Sequence, residues 1–158
     1  MKIKKEKTLL LIIITLSILL IGLNYFSENY GVNISNSIER GIYKYLEKKE
    51  YKKGDIVIFE KNDELKKLGK AEIPFLKKLI ADENSYIEIK NDFLYIDGEN
   101  FGKIYKLRGM KTIGDNYKIN KNCFLALSKV DKSFDSRYFG EICQKEILKG
   151  AKLIYEIK

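Results

Sequence analysis

Histidine is absent from the chain. That removes the usual general base near neutral pH and the usual nitrogen ligand for zinc. Hydrolytic chemistry here must draw on lysine, a carboxylate, tyrosine or cysteine. The two cysteines, Cys123 and Cys143, are too few for a disulfide framework and lack the pairwise spacing of a metal knuckle. Their apolar neighbours favour two separate buried side chains, while a single bridge across residues 133–140 is open to an exported chain. With one proline, Pro74, and no long polar run, neither linkers nor low-complexity segments are expected. No internal repeat occurs, and no G-x-G-x-x-G or phosphate-binding loop, so nucleotide chemistry is not expected. The formal charge is +8, but no block of five like charges exists. The lysines alternate with glutamates and aspartates and read as solvated faces. Neither a nucleic-acid partner, nor a metal, nor an organic cofactor is expected.

What the chain does contain is an uncharged, Leu/Ile-rich run over residues 8–26. As a helix its 19 residues span about 28 Å, close to the thickness of a hydrocarbon core. Lys2, Lys4, Lys5 and Lys7 precede it against Glu6 alone. The positive-inside tendency keeps that end cytoplasmic, and Tyr25 and Tyr30 suit the far interface. The expected organisation is a basic cytoplasmic start over 1–7, a cell-membrane anchor over 8–26 and one extracytoplasmic domain over 27–158. A cleaved signal peptide has the same outline, but the run exceeds its usual apolar length and residues 24–30 offer no small-x-small site. A pilin-type helix lacks its processing glycine and following glutamate.

After the anchor the pattern is mainly β. Residues 55–59 form a short apolar run behind Gly54, as in strands buried on both faces. Residues 86–90 and 93–97 alternate around Asn91-Asp92, a hairpin signal. Residues 75–80, 123–127 and 153–157 are further strand candidates, and 63–70 is the one helical or looped stretch. The reading is a mainly β protein with one N-terminal transmembrane helix. Its compact extracytoplasmic domain is a mostly antiparallel sheet, expected as a partly closed barrel.

Three segments carry chemistry. The first is Asn33-Ile34-Ser35-Asn36-Ser37-Ile38-Glu39-Arg40-Gly41-Ile42-Tyr43. The second runs from Gly54-Asp55-Ile56-Val57-Ile58-Phe59 to Phe75-Leu76-Lys77-Lys78-Leu79-Ile80. The third is Ser133-Phe134-Asp135-Ser136-Arg137-Tyr138-Phe139-Gly140. In order and spacing they resemble the boxes of the type I signal peptidase family, and within it the short conjugative-transfer branch. The resemblance spans nearly the whole chain.

Carried over position by position, it implies Ser37 as nucleophile and Lys77 as general base. The Ser35 hydroxyl and the Ser37 N–H would bind the oxyanion. Ser133 would orient the lysine amine, and Asp135 and Arg137 would form a structural pair. It also implies a serine endopeptidase beside the lipid bilayer, acting on preproteins or prepilins with small residues on the acyl side, with secretion or conjugation machinery as partner. Two other outcomes keep part of the pattern: an acyl transferase that cyclises a pilin at the same site, and a noncatalytic anchored component of such machinery.

The chemistry sets its own demand. A lysine deprotonates a serine only when neutral, and at neutral pH fewer than about one free lysine in a thousand is neutral. Burial lowers its pKa by up to ~3 to 5 units. Alternation puts Lys77 on one face with Phe75 and Leu79, and Lys78 on the other with Leu76 and Ile80. Periodicity therefore does not choose between them, and only the resemblance selects Lys77.

The pattern departs from the family at Glu39, where proline is usual, and at residues 81–85, which replace a Gly-x-Pro-Gly-Asp turn and put Asn84 in glycine's place as a candidate left-handed residue. It departs again ahead of Ser133.

Overall fold

The computed structural model describes residues 2–67, 73–107, 109–130 and 132–157. Helix α1 (Lys2–Asn29) contains a 23-residue stretch, Lys7–Asn29, of mean hydropathy 2.5 with none of it buried in the protein. It is apolar around its whole circumference, the composition of a helix solvated by lipid. Strand β1 (Tyr30–Asn33) begins at the residue after it. Phe26 stacks on Tyr30 at 5.2 Å, and Lys149 donates to the Glu28 carbonyl at 2.9 Å. That cation sits where the exposed carbonyls of a helix C-terminus favour positive charge.

The remaining elements are β2 (Gly41–Leu46), β3 (Ile56–Phe59), α2 (Asn62–Lys67), β4 (Phe75–Ala81), β5 (Ile87–Lys90), β6 (Phe93–Ile96), β7 (Glu99–Lys103), β8 (Cys123–Leu127), α3 (Ser136–Phe139), β9 (Ile142–Cys143) and β10 (Ile147–Glu156). Seven strands form an antiparallel sheet in the order β1-β2-β10-β3-β4-β8-β9, and β5-β6-β7 form a second. The larger sheet is open, with β1 and β9 at its edges. The mainly β architecture behind an apolar helix agrees with the sequence reading.

Strand β8 is buried at all five positions and serves two cores. Leu125 and Leu127 pack with Ile87, Leu94, Ile96 and Phe101 of the small sheet, while Phe124 and Ala126 pack with Val57, Phe59 and Leu79. Alternation along one strand thus joins the small sheet to the large one. Gly41 in β2 allows a close crossing, because a Cβ there would lie 2.0 Å from the Tyr155 carbonyl oxygen.

One local expectation holds and several are corrected. The hairpin at Asn91-Asp92 is present, with both residues at positive φ (52° and 65°), as a type I′ turn requires. Asp97-Gly98 repeats the device (φ 51° and 83°) and adds β7, which the sequence does not signal. Asn84 is not among the positive-φ residues. Its N–H instead bonds the Asp82 carboxylate at 3.0 Å, a side-chain turn that needs no left-handed backbone. The 63–70 stretch is a helix to Lys67, its last three residues lie outside the described residues, and α3 is a further helical turn. The last strand is twice the expected length, since β10 carries two register shifts that blur its period. Cys123 and Cys143 are not separate thiols. They are register partners across β8 and β9 and form a disulfide, because antiparallel pairing puts the two side chains face to face.

Candidate active site

Strand β4 turns its two lysines to opposite sides. Lys77 pairs with Val57 of β3 and points inward with Leu79 and Ala81, retaining 5% of its exposure, while Lys78 points out to solvent. The Lys77 ammonium donates to Ser133 Oγ at 2.9 Å. Its pKa is lowered from 10.5 to about 8, chiefly by burial; nearby Asp135 opposes that shift and Arg137 adds to it. An amine in this state supplies a usable neutral fraction near neutral pH.

Ser133 is fixed from behind. Two residues on, Asp135 caps α3 and is fully buried, as is Arg137. Their side chains form a two-point pair, Arg137 Nε to Oδ1 at 2.8 Å and Nη2 to Oδ2 at 2.6 Å. The other guanidinium protons reach the carbonyls of Phe101 (3.1 Å) and Ser128 (3.1 Å), so one side chain ties β7, the loop after β8 and α3 together. Planar, forked donors suit such multiple bonding, and lysine would not replace it. Gly102 keeps the neighbouring strand clear: at φ 93° it adopts a conformation that side chains disfavour, and a Cβ there would sit 3.2 Å from Arg137 Nη1. The Ser136 hydroxyl accepts from the Ala126 N–H at 2.9 Å. Phe134, Phe75 and Phe139 form a ring cluster, with centroids 5.6–5.9 Å apart, beside the lysine.

Ser35 and Ser37 occupy the turn after β1. Their hydroxyls are 2.9 Å apart, and Ser35 Oγ donates to Asn33 Oδ1 at 2.7 Å. A serine has one hydroxyl proton. With that of Ser35 committed to Asn33, Ser37 is the donor between the two serines. The Asn33 amide also bonds the carbonyls of Ser35, Ile38 and Glu39 at 3.0–3.3 Å, and its Oδ1 accepts the Ser35 N–H at 3.0 Å. Tyr43 closes the turn, donating to the Glu39 carbonyl at 2.8 Å. Burial, followed by Glu39 and Glu156, pushes the Tyr43 phenol up to about 12, so that donor persists in alkali.

The structure thus brings together Lys77 with Ser133, Asp135 with Arg137, and Ser35 with Ser37. No hydrogen bond joins Ser37 to Lys77. Both side chains line one cavity of about 560 Å³, together with Ser35 and Ser133. Sequence reasoning passed over Asn33 and Ser136 as positioning residues. The signal for Asn33 was present, since an asparagine two residues ahead of a serine is placed to build a side-chain turn. Ser136 had no comparable local signal, because its partner, Ala126, lies ten residues away in β8.

The family described as signal peptidase, peptidase S26, matches residues 5–156. The chain belongs to this family. Signal peptidases of this class are serine peptidases that act on preproteins at membranes, and α1 is a helix long and apolar enough to anchor one. Among solved structures the chain is similar to a signal peptidase I from Enterococcus faecalis, at 20% identity over 66% of this chain and 98% of that one, with a TM-score of 0.41. No curated protein matches it.

Proposed function

We propose that the chain is a membrane-anchored endopeptidase whose acyl-enzyme forms on Ser37 with Lys77 as general base. The observation that supports it most is the buried Lys77, hydrogen-bonded to Ser133 in the cavity that Ser37 also lines. Reaction requires the Ser37 hydroxyl to turn from Ser35 toward the amine, a rotamer change within the cavity. Neutral Lys77 takes its proton as Oγ attacks the substrate carbonyl. The oxyanion is held by the Ser37 N–H and by Ser35, whose proton must leave Asn33 to reach it. Lys77 then passes the proton to the departing amine, and in the second half it takes one from the attacking water and returns it to Ser37 Oγ as the acyl group leaves.

In this reading residues 1–7 are cytoplasmic, 8–26 cross the cell membrane, and 27–158 face outward beside the lipid. Preproteins or prepilins of a secretion or conjugation system are the substrates. Asp135 and Arg137 act structurally, and chelators leave the rate unchanged. The absence of a Ser37–Lys77 bond favours one rival, a noncatalytic anchored component.

The test uses full-length protein in lipid vesicles with a model preprotein. Ser37→Ala and Lys77→Arg should each lower processing by ~10³-fold or more. Equal processing by all three proteins, or none by any, leaves the proposal without support. The rate should rise with pH through the lysine pKa of about 8, whereas a profile falling from pH 6 upward contradicts a lysine base. A product lacking the added water would mark cyclising transfer instead of hydrolysis.

A further inference from the structure

A second cavity, about 730 Å³, opens on the other side of the nucleophile turn. Asn36, Ser37 and Val130 line both cavities. A chain whose scissile bond lies at Ser37 can therefore extend into one in each direction. The two differ in chemistry. The first holds the buried amine and is walled by Ile58, Phe75 and Phe134. The second is walled by Arg40, Lys53, Lys78 and Lys129 against Glu39 and Glu99.

Position decides which end of a substrate each receives. Strand β1 follows the anchor helix directly and lines the first cavity through Gly31, Val32 and Asn33. The apolar, lipid-embedded side of a preprotein enters there as the acyl half. Its exported side then leaves through the second cavity.

Within that cavity the cations are not equivalent. Lys53 is paired with Asp97 at 2.7 Å, and Lys129 with Glu99. Lys78 and Arg40 are exposed and, among the described residues, their side chains have neither an ion pair nor a hydrogen-bonded partner. Lys78 follows the proposed base by one residue, and alternation along β4 sends it to the opposite face, into this cavity. We infer that the second cavity binds the substrate segment on the amine side of the cut bond, and that Lys78 and Arg40 select acidic side chains there. This rests on the peptidase reading and adds a specificity that the reading does not contain. Glu39, whose side chain also has no ion pair among the described residues, opposes the selection in part.

The test compares three preproteins identical on the acyl side, with Glu-Glu, Gln-Gln or Lys-Lys at the second and third positions after the cut. Wild-type protein should show kcat/KM in the order acidic, neutral, basic, with an acidic-to-basic ratio on the order of tenfold at low salt, since two exposed charge contacts are each worth a fewfold. The ratio should shrink at high salt. Lys78→Glu with Arg40→Glu should invert it, and Lys78→Arg should preserve it. Thermal melts verify that the variants fold, and the ratio is independent of the active fraction. A wild-type ratio near one, or a ratio that the charge reversal does not move, overturns the inference while leaving the peptidase reading intact. Wild-type processing no greater than that of Ser37→Ala overturns both.

Discussion

Lys77 and Ser37 face the same cavity, yet the lysine's side is built from groups that have lost their water and the serine's from a turn that water still reaches. Behind Lys77 stand Ser133, then Asp135, Ser136 and Arg137, the last three at 0% exposure, with donors and acceptors drawn from β7, β8 and α3. Behind Ser37 stand two buried residues, Asn33 and Tyr43, while residues 34–40 of the turn itself are partly or fully exposed. Under the proposed mechanism the difference follows from what each group must do. A lysine becomes a base only if desolvation is enforced, so its surroundings must not relax. A serine nucleophile must change partners during the reaction, and an exposed turn tied only at its base, by Asn33 and Tyr43, permits that.

The sharpest way to break the comparison is to remove the guanidinium. Arg137→Met leaves the Asp135 carboxylate buried with backbone N–H partners only, and strands the carbonyls of Phe101 and Ser128. Losing one member of a buried ion pair costs about 3–5 kcal/mol. Urea unfolding should show that loss. Asp135→Asn, which keeps an acceptor at the helix cap, should cost less. If Arg137→Met unfolds at the wild-type urea concentration, the lysine side is not held as described.

The second prediction concerns pH and Lys77 itself. Its folded pKa, about 8, lies below the 10.5 of the free side chain. Between those values the unfolded chain binds a proton that the folded chain does not, so stability rises as pH increases across that window. Below pH 8 both states bind the proton and the gain is absent. The full rise is roughly 3 kcal/mol. Lys77→Met should flatten that part of the curve, measured by denaturant midpoints from pH 7 to 11. A variant curve parallel to wild type would mean that the amine is not desolvated. The Tyr43 clasp on the serine turn, with its pKa near 12, should contribute little change over most of this range.

The same contrast explains what the sequence made legible. Strands β3, β4, β6 and β8 are short runs whose apolar pattern follows from burial, and they were found. Strand β7 (Glu99–Lys103) has almost no apolar pattern. It exists because a two-residue turn folds it back on β6 and Arg137 binds its carbonyls, a partner 34–36 residues away. The disulfide spans 20 residues, and nothing local in either cysteine's neighbours announces the pairing. The choice between Lys77 and Lys78 was closed to periodicity, because which face of β4 turns inward is set by the cores it packs against. On the serine side the information was local, and an asparagine-serine turn could be read from adjacent residues.

The smallest effect should come from Asn33, and it separates holding from chemistry. Asn33→Ala removes the acceptor for the Ser35 hydroxyl and N–H and the donor to three carbonyls, in a segment that solvent can partly rescue. The stability loss should be about 1–2 kcal/mol, below that of Arg137→Met. The freed Ser35 proton becomes available to an oxyanion, while the turn that aims it loses its clasp. Asn33→Asp keeps the acceptor and loses the donor, so it distinguishes the two. If aiming governs, both variants lower kcat, with little change in KM. If freeing the proton governs, Asn33→Ala retains more activity than Asn33→Asp. Equal wild-type rates for both would show that Asn33 does not position the serines, and that the Tyr43 clasp and backbone contacts hold the turn without it.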